Sequence, residues 1–82
     1  MREVTFNEIA EIFGEIIDLS GIQIDSSTVL GEDIPVDSRE MLRILSRIES
    51  QYRFRFNPKE VLGLKTMEDI LQVIQRRASE PY

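Results

Sequence analysis

One serine in this chain stands where its hydroxyl is accessible for chemistry. Ser38 follows Asp37 at the point where a long polar loop gives way to an amphipathic helical pattern. A phosphate joined to a hydroxyl at a helix start lies beside unpaired backbone N–H groups, at the positive end of the helix dipole. The position therefore suits a phosphodiester. Taken alone, an Asp-Ser pair is more often a helix start and nothing else, because both residues are common there.

The composition excludes most other reactive chemistry. The chain contains no Cys and no His, which removes thiol nucleophiles, disulfides, Cys/His zinc sites and histidine acid-base catalysis. Three glutamates in the first helical pattern, Glu8, Glu11 and Glu15, are interpreted as a solvated face and not as a metal site. We therefore expect a protein that is not itself an enzyme and holds no metal.

Length and hydropathy indicate one small domain. The 82 residues, 41% of them hydrophobic, are enough for a single core. No run approaches the roughly 18 to 20 apolar residues that cross a bilayer, and the first residues do not have the pattern of a signal peptide. We expect a cytoplasmic monomer with a domain over 1–77 and a tail over 78–82.

Charge is unevenly distributed along the chain. Residues 1–37 carry nine acidic groups and one basic group, whereas residues 38–82 carry nine basic and six acidic groups. The net charge of −5 argues against a nucleic-acid partner but leaves room for a local basic patch. Arg39, Arg43 and Arg47 recur four apart beside Ser38. Such rows are usually solvated, yet this row would contact any protein that reached Ser38, and we interpret it as partner-binding.

Helix-start patterns predict an all-α fold with four helices, the third of them short. Four pairs of residues three positions apart have the composition of an N-cap and its capping partner. These pairs are Thr5 with Glu8, Asp37 with Glu40, Asn57 with Glu60, and Thr66 with Asp69. They predict helices over about 5–19, 38–52 and 58–62, and a last helix that begins after Thr66.

Two connecting segments need separate interpretation. The loop over 20–36 is long for a compact domain, so we expect its apolar residues to anchor it. Those residues are Ile22, Ile24, Val29, Leu30, Ile34 and Val36. The stretch over 52–56 alternates aromatic and basic residues as a strand does. Because no second convincing strand is present to pair with it, we interpret it as an extended connector whose aromatics close the core.

From Asp37-Ser38 onward the chain resembles the acyl carrier protein family, whose members attach 4′-phosphopantetheine to a serine in an Asp-Ser-Leu motif at the start of the second helix. The similarity covers residues 4–75. It is carried further by Leu42, Ile44, Ile48, Glu49, Tyr52, Phe56, Val61, Leu64 and Thr66-Met67. Arg39 replaces the family's usual leucine, Ser46 replaces a frequent apolar residue, and Arg43 and Arg47 are basic where ordinary fatty-acid carriers are acidic. The chain therefore resembles a specialised member.

The resemblance implies a four-helix bundle of acyl-carrier type. It implies 4′-phosphopantetheine, taken from coenzyme A by a phosphopantetheinyl transferase and joined to Ser38, with Asp37 capping the helix and helping to engage that transferase. Acyl groups would then travel as thioesters between acyl-transferring and condensing enzymes, in fatty acid, polyketide or related biosynthesis. The implied acyl pocket consists of Leu42, Ile48, Phe56, Val61, Leu64 and Ile70. Phe56 and Met67 are bulky enough to narrow it.

A different class of function stays open at this point. The same residues suit a small helical interaction module with no prosthetic group. Such a module would use the arginine row against an acidic partner, or would be regulated by phosphorylation at Ser38.

Overall fold

Four α-helices organise the computed structural model, which describes residues 4–78. In chain order they are α1 (Phe6–Ile16), α2 (Ser38–Tyr52), α3 (Pro58–Leu62) and α4 (Met67–Ala78). Over this range extended backbone pairs only in two isolated bridges, so the all-α fold with a short third helix is confirmed. Within the same range, no helix combines the length and the apolar character that spanning a membrane requires.

The N-terminal ends of α2 and α3 are fixed by reciprocal capping boxes, as their sequences predict. The Asp37 carboxylate accepts the Glu40 N–H at 2.8 Å, and the Glu40 carboxylate accepts the Asp37 N–H at 3.0 Å. Asn57 and Glu60 repeat this exchange at 2.8 and 2.9 Å, with Pro58 at the first helical position. Each box satisfies N–H groups that a helix start leaves without partners.

The start of α4 is also capped as predicted. The Thr66 hydroxyl accepts the Asp69 N–H at 3.2 Å, and one Asp69 oxygen accepts the N–H groups of Lys65 and Thr66. These two backbone donors hold the pKa of Asp69 below its ordinary value because they favour the ionised carboxylate. The helix runs through Ala78, one residue beyond the expected domain boundary. Residues 79–82, the rest of the expected tail, lie outside the described residues.

The end of α1 differs from the prediction. The helix stops at Ile16 instead of residue 19, and Ile17 is extended at φ −121° and ψ 142°. Ile17 is only 6% exposed, so the extended backbone directs an apolar side chain into the core. The Asp18 carboxylate then accepts the Ser20 N–H at 3.0 Å. This local turn competes with a further helical turn and ends the helix before Gly21.

Isoleucines dominate the core. Its fully buried members are Ile9, Ile12, Phe13, Ile34, Ile44, Ile48, Met67, Ile70 and Ile74. Ile34 comes from the long loop, and Ile24, Leu30 and Val36 of that loop pack against the core, as the anchored-loop interpretation predicts. No residue of α3 is buried. The short helix therefore lies on the outside of the core.

Polar contacts hold the same loop against α4. Buried Thr28 accepts the Asp25 N–H on its hydroxyl at 2.8 Å and the Met67 N–H on its backbone carbonyl at 3.1 Å. Leu30 donates its N–H to the Lys65 carbonyl at 2.9 Å. These bonds fix the middle of the loop against the start of α4, ahead of the segment that leads into α2.

The segment after α2 is an extended connector, in agreement with the sequence interpretation. Arg53 ends the helix in the left-handed region at φ 58°. The Phe54 and Phe56 rings then meet edge to face with centroids 4.9 Å apart, and both pack against the core. The Glu49 carboxylate accepts the Phe56 N–H at 2.8 Å. This bond ties the connector back to α2.

Candidate functional site

Ser38 is the first residue of α2 and is exposed to solvent. Asp37, and not Ser38, caps the helix, so the serine hydroxyl has no capping role. Among residues 4–78 this hydroxyl makes no hydrogen bond, and the N–H groups of Ser38 and Arg39 have no acceptor. The site therefore combines a free hydroxyl with free N–H donors at the positive end of a four-turn helix.

An apolar cleft of about 420 Å³ opens beside Ser38, between α2, α3 and the end of the long loop. Its volume falls in the range of about 300–1,000 Å³ that small-molecule sites occupy. Apolar side chains make most of the wall, with Asp37 and Ser38 at its polar edge. The lining residues are Leu30, Gly31, Val36, Asp37, Ser38, Met41, Leu42, Leu45, Val61 and Leu64.

Half of the acyl-pocket residues inferred from sequence line this cleft. Leu42, Val61 and Leu64 do so. Ile48 and Ile70 instead lie fully buried in the core. Phe56 packs against Phe54 and the core, on the connector after α2. Apolar spacing on a helix marks both a core face and a cleft wall, so spacing alone does not separate the two.

Five lining residues were not predicted from the sequence: Gly31 and the apolar side chains of Leu30, Val36, Met41 and Leu45. Helical geometry offered a signal for two of them. Met41 and Leu45 stand three and seven residues after Ser38, and such residues share one side of a helix. Met67, expected to narrow the cleft, lies in the core outside the lining.

A carboxylate of α3 itself, that of Glu60, holds this side of the cleft in place. Glu60 accepts hydrogen bonds from Arg77 at 2.9 Å and from Arg76 at 2.7 Å, with its side chain only 10% exposed. The bonds from Arg77, more than those from Asn57 and Arg76, lower the pKa of Glu60 to about 2. These ion pairs fix α3 against α4. Because α3 supplies Val61 to the cleft wall, they also fix that part of the wall.

The arginine row divides into two parts. Arg47 binds the Glu15 carboxylate at 3.3 Å and the Gln51 side chain at 2.9 Å, so it joins α2 to α1. Arg39 and Arg43 are exposed, and within the described part of the chain neither forms an ion pair. Only these two residues of the row present a free charge to a partner.

The interpretation of the α1 glutamates as a solvated face agrees with exposed Glu11 and Glu15 but is wrong for partly buried Glu8. Glu8 accepts the Tyr52 hydroxyl at 2.6 Å, and Glu15 binds Arg47. The Thr5 hydroxyl accepts the Glu8 N–H at 3.4 Å, but the Glu8 carboxylate contacts Tyr52 instead of returning a bond to Thr5. Both carboxylates are used to pair helices. Over residues 4–78, no group of three or more acidic side chains is placed to hold a metal ion.

Comparison with known proteins identifies the family. The family profile described as "Phosphopantetheine attachment site" matches residues 7–74. An acyl carrier protein of Rhodococcus erythropolis is 30% identical over 81 residues, which is 96% of this chain and 87% of the relative. The family profile and the Rhodococcus relative each match most of the chain. This chain therefore belongs to the acyl carrier protein family, the phosphopantetheine-binding carriers.

Other relatives have related names. A meromycolate extension acyl carrier protein of Mycobacterium leprae is 28% identical over 88% of this chain and 63% of the relative. An acyl carrier protein of Coprothermobacter proteolyticus is 23% identical over 90% of each chain. No solved structure matches the chain significantly.

The prosthetic group of this family is 4′-phosphopantetheine, held covalently. The surroundings of Ser38 fit such a group in two respects. Its free hydroxyl and the neighbouring free N–H groups suit a phosphodiester. The adjoining apolar cleft suits a hydrocarbon carried at the far end of a flexible arm.

Proposed function

We propose that this chain carries acyl groups on 4′-phosphopantetheine attached to the Oγ of Ser38. One observation carries the proposal. Among the serines of the described chain, Ser38 alone combines the first position of a helix, a hydroxyl free of hydrogen bonds and a place on the wall of the apolar cleft. When bound, the group supplies a terminal thiol for thioester chemistry, which this chain without cysteine otherwise lacks.

In the attachment step the Ser38 hydroxyl is the nucleophile. A phosphopantetheinyl transferase supplies coenzyme A with a divalent metal. Ser38 Oγ bonds to the phosphorus on the pantetheine side, the diphosphate P–O bond breaks, and adenosine 3′,5′-bisphosphate leaves. The serine proton goes to the transferase, and the Asp37 carboxylate keeps its capping bond to the Glu40 N–H. The resulting phosphodiester is stabilised by the free N–H groups and the dipole of α2.

The cleft indicates an aliphatic acyl cargo, in fatty acid, polyketide or related biosynthesis. Met41, Leu42, Leu45, Val61 and Leu64 supply hydrocarbon walls within reach of Ser38. Burying a methylene against such a wall contributes about 0.8 kcal/mol, so the binding of an alkyl chain in the cleft is stabilised in proportion to the length that is buried. In this role the chain is a substrate for its partner enzymes and does not itself catalyse a step.

Intact mass spectrometry tests the attachment. The chain is incubated with coenzyme A, magnesium and a phosphopantetheinyl transferase. We expect one added phosphopantetheine on the wild type, none on Ser38→Ala and one on the control Ser46→Ala, which alters an exposed serine of the same helix. Modification of Ser38→Ala, or an unmodified wild type with several transferases, overturns the proposal.

Methyl NMR tests the cleft separately, because the chain has an internal control. Met41 lines the cleft, whereas Met67 is fully buried elsewhere in the core. Loading the arm with an octanoyl group is expected to shift the methyl signals of Met41 and Leu45, with Met67 little changed. An acetyl group is too short to fill the cleft and gives smaller shifts. Equal shifts at Met41 and Met67, or none, contradict an acyl pocket at this place.

A further inference from the structure

Large exposed hydrophobic side chains are confined to one region of the described chain. They are Leu42 on α2, 65% exposed, and Val61 and Leu62 on α3, 37% and 83% exposed. Leu42 and Val61 both line the cleft beside Ser38, and Leu62 follows directly on α3. Exposed apolar residues grouped at one site are typical of an interaction surface, whereas scattered single ones are not.

Cations accompany these apolar residues on both helices. Arg39 stands three residues before Leu42 and four before Arg43, so the three are neighbours on α2. Lys59 stands three residues before Leu62 on α3. Arg39, Arg43 and Lys59 are exposed, and between residues 4 and 78 none of them forms an ion pair.

The carboxylates of the same two helices are committed to bonds inside the protein. Glu40 accepts the Asp37 N–H, Glu49 accepts the Phe56 N–H, and Glu60 binds Arg76 and Arg77. On α2 and α3 an incoming protein therefore meets free guanidinium and ammonium groups, whereas the carboxylates of these two helices already have donors. Charge complementarity favours a partner that is acidic at this place.

We propose that Arg39, Leu42, Arg43, Lys59 and Leu62, here called the basic-apolar surface, dock a partner protein whose own face carries carboxylates around an apolar depression. Arg47 does not belong to this surface, since it is paired with Glu15. The proposal rests on the proposed function, because Arg39, Leu42 and Arg43 lie on the helix that Ser38 begins and Leu42 shares the cleft wall with Ser38, so an enzyme that reaches Ser38 meets this surface. The docking proposal goes beyond the proposed function by stating that the partner enzyme's docking face is acidic around an apolar depression. Opposite charges speed encounter and exclude basic partners, while the leucines supply apolar contact.

The experiment uses two forms of one general phosphopantetheinyl transferase. One is unaltered, and in the other the basic residues of its carrier-facing surface are replaced by glutamate. Binding is measured by titration calorimetry at low salt, with Ser38→Ala in the carrier so that docking is observed without modification. We expect the carrier to bind the acidic form about tenfold more tightly than the unaltered form. The difference should narrow as salt is raised.

Matched variants locate the effect. Arg43→Glu should weaken binding of the acidic form about fivefold, whereas Arg55→Glu, the same charge change at an exposed position on the connector, should leave it nearly unchanged. Arg39→Glu with Arg43→Glu should reverse the preference between the two transferase forms. Leu62→Ser should weaken binding of both forms. Equal affinity for both forms, or equal losses from Arg43→Glu and Arg55→Glu, overturns the docking proposal.

Mass spectrometry on the carrier with Ser38 intact separates this proposal from the proposed function. A carrier that prefers the acidic form yet is modified by neither form, nor by several other transferases, refutes attachment at Ser38 and leaves the docking surface standing. A carrier that is modified at Ser38 but binds both forms equally refutes the docking surface and leaves attachment at Ser38 standing.

Discussion

The hydroxyl of Tyr52 donates a 2.6 Å hydrogen bond to the carboxylate of Glu8, joining the last residue of α2 to the first turn of α1. The pair lies 44 residues apart in the chain. Together with the ion pair of Arg47 with Glu15, it fixes the direction of α2 relative to α1 at two points. Because Ser38 begins α2, these contacts also determine where the proposed attachment point lies.

Removing the Tyr52 hydroxyl should destabilise the domain. Hydrogen bonds to charged groups contribute about 1.5–3 kcal/mol, and this one is partly exposed, so Tyr52→Phe should lower the free energy of unfolding by about 1–2 kcal/mol. Urea denaturation measures the change. A double-mutant cycle with Glu8→Ala provides the control: a coupling energy near zero would show that the hydroxyl acts through other contacts.

Glu60 should make stability depend on acid pH. Its pKa is about 2 in the folded protein and 4.5 ordinarily, so it binds fewer protons when folded. Its contribution is therefore complete above the ordinary pKa and is lost as pH falls from there toward 2. Glu60→Gln should cost about 2 kcal/mol near neutral pH and progressively less at acid pH.

The control for this comparison is Glu11→Gln, which neutralises an exposed glutamate of α1. Urea midpoints are measured for each variant between about pH 7 and pH 3. The gap between wild type and Glu60→Gln should narrow over this range while the Glu11→Gln gap stays small. A constant gap would contradict the assignment of the low pKa to Glu60.

Asp37 should have two separable effects. Asn caps helices about as well as Asp, so Asp37→Asn should leave the free energy of unfolding nearly unchanged, whereas Asp37→Ala should lower it by about 1 kcal/mol. If the charge of Asp37 also engages the transferase, Asp37→Asn will slow modification of Ser38 despite its intact fold. Thermal unfolding and the rate of modification are the two measurements. Equal modification rates for wild type and Asp37→Asn would limit Asp37 to capping.

Arg39 should contribute little to stability. A cation in the first turn of a helix opposes the dipole, so Arg39→Leu should leave the melting temperature unchanged or slightly raised. The same change should improve modification by a general transferase, whose usual carriers have leucine there. Unfolding of Arg39→Leu would show that the residue is structural and would remove it from the basic-apolar surface.

Local chemistry made the helix starts predictable. Asp37 with Glu40 and Asn57 with Glu60 each form a closed exchange of bonds between residues three apart, so their geometry needs no distant partner. The position of Ser38 follows from the first of these boxes. Accessibility of its hydroxyl follows too, because the preceding residue does the capping.

Contacts between distant segments decided what sequence patterns did not. Whether Glu8 returns a bond to Thr5 depends on Tyr52, and whether Arg47 is free depends on Glu15. Likewise Leu45 and Ile48 have similar apolar character, yet only Leu45 reaches the cleft wall, since that depends on where α3 and the loop lie. Periodicity identifies a buried face without saying what covers it.

Because α3 buries none of its residues, the wall of the cleft that α3 supplies can change without altering a core side chain. The helix is held by Glu60 and its two arginines, while the nine fully buried side chains of the core belong to other segments. Substitutions at Val61 can therefore change the shape of the cleft without removing a side chain from the core. Under the proposed function, altering this one short wall fits the carrier to acyl cargo of another length.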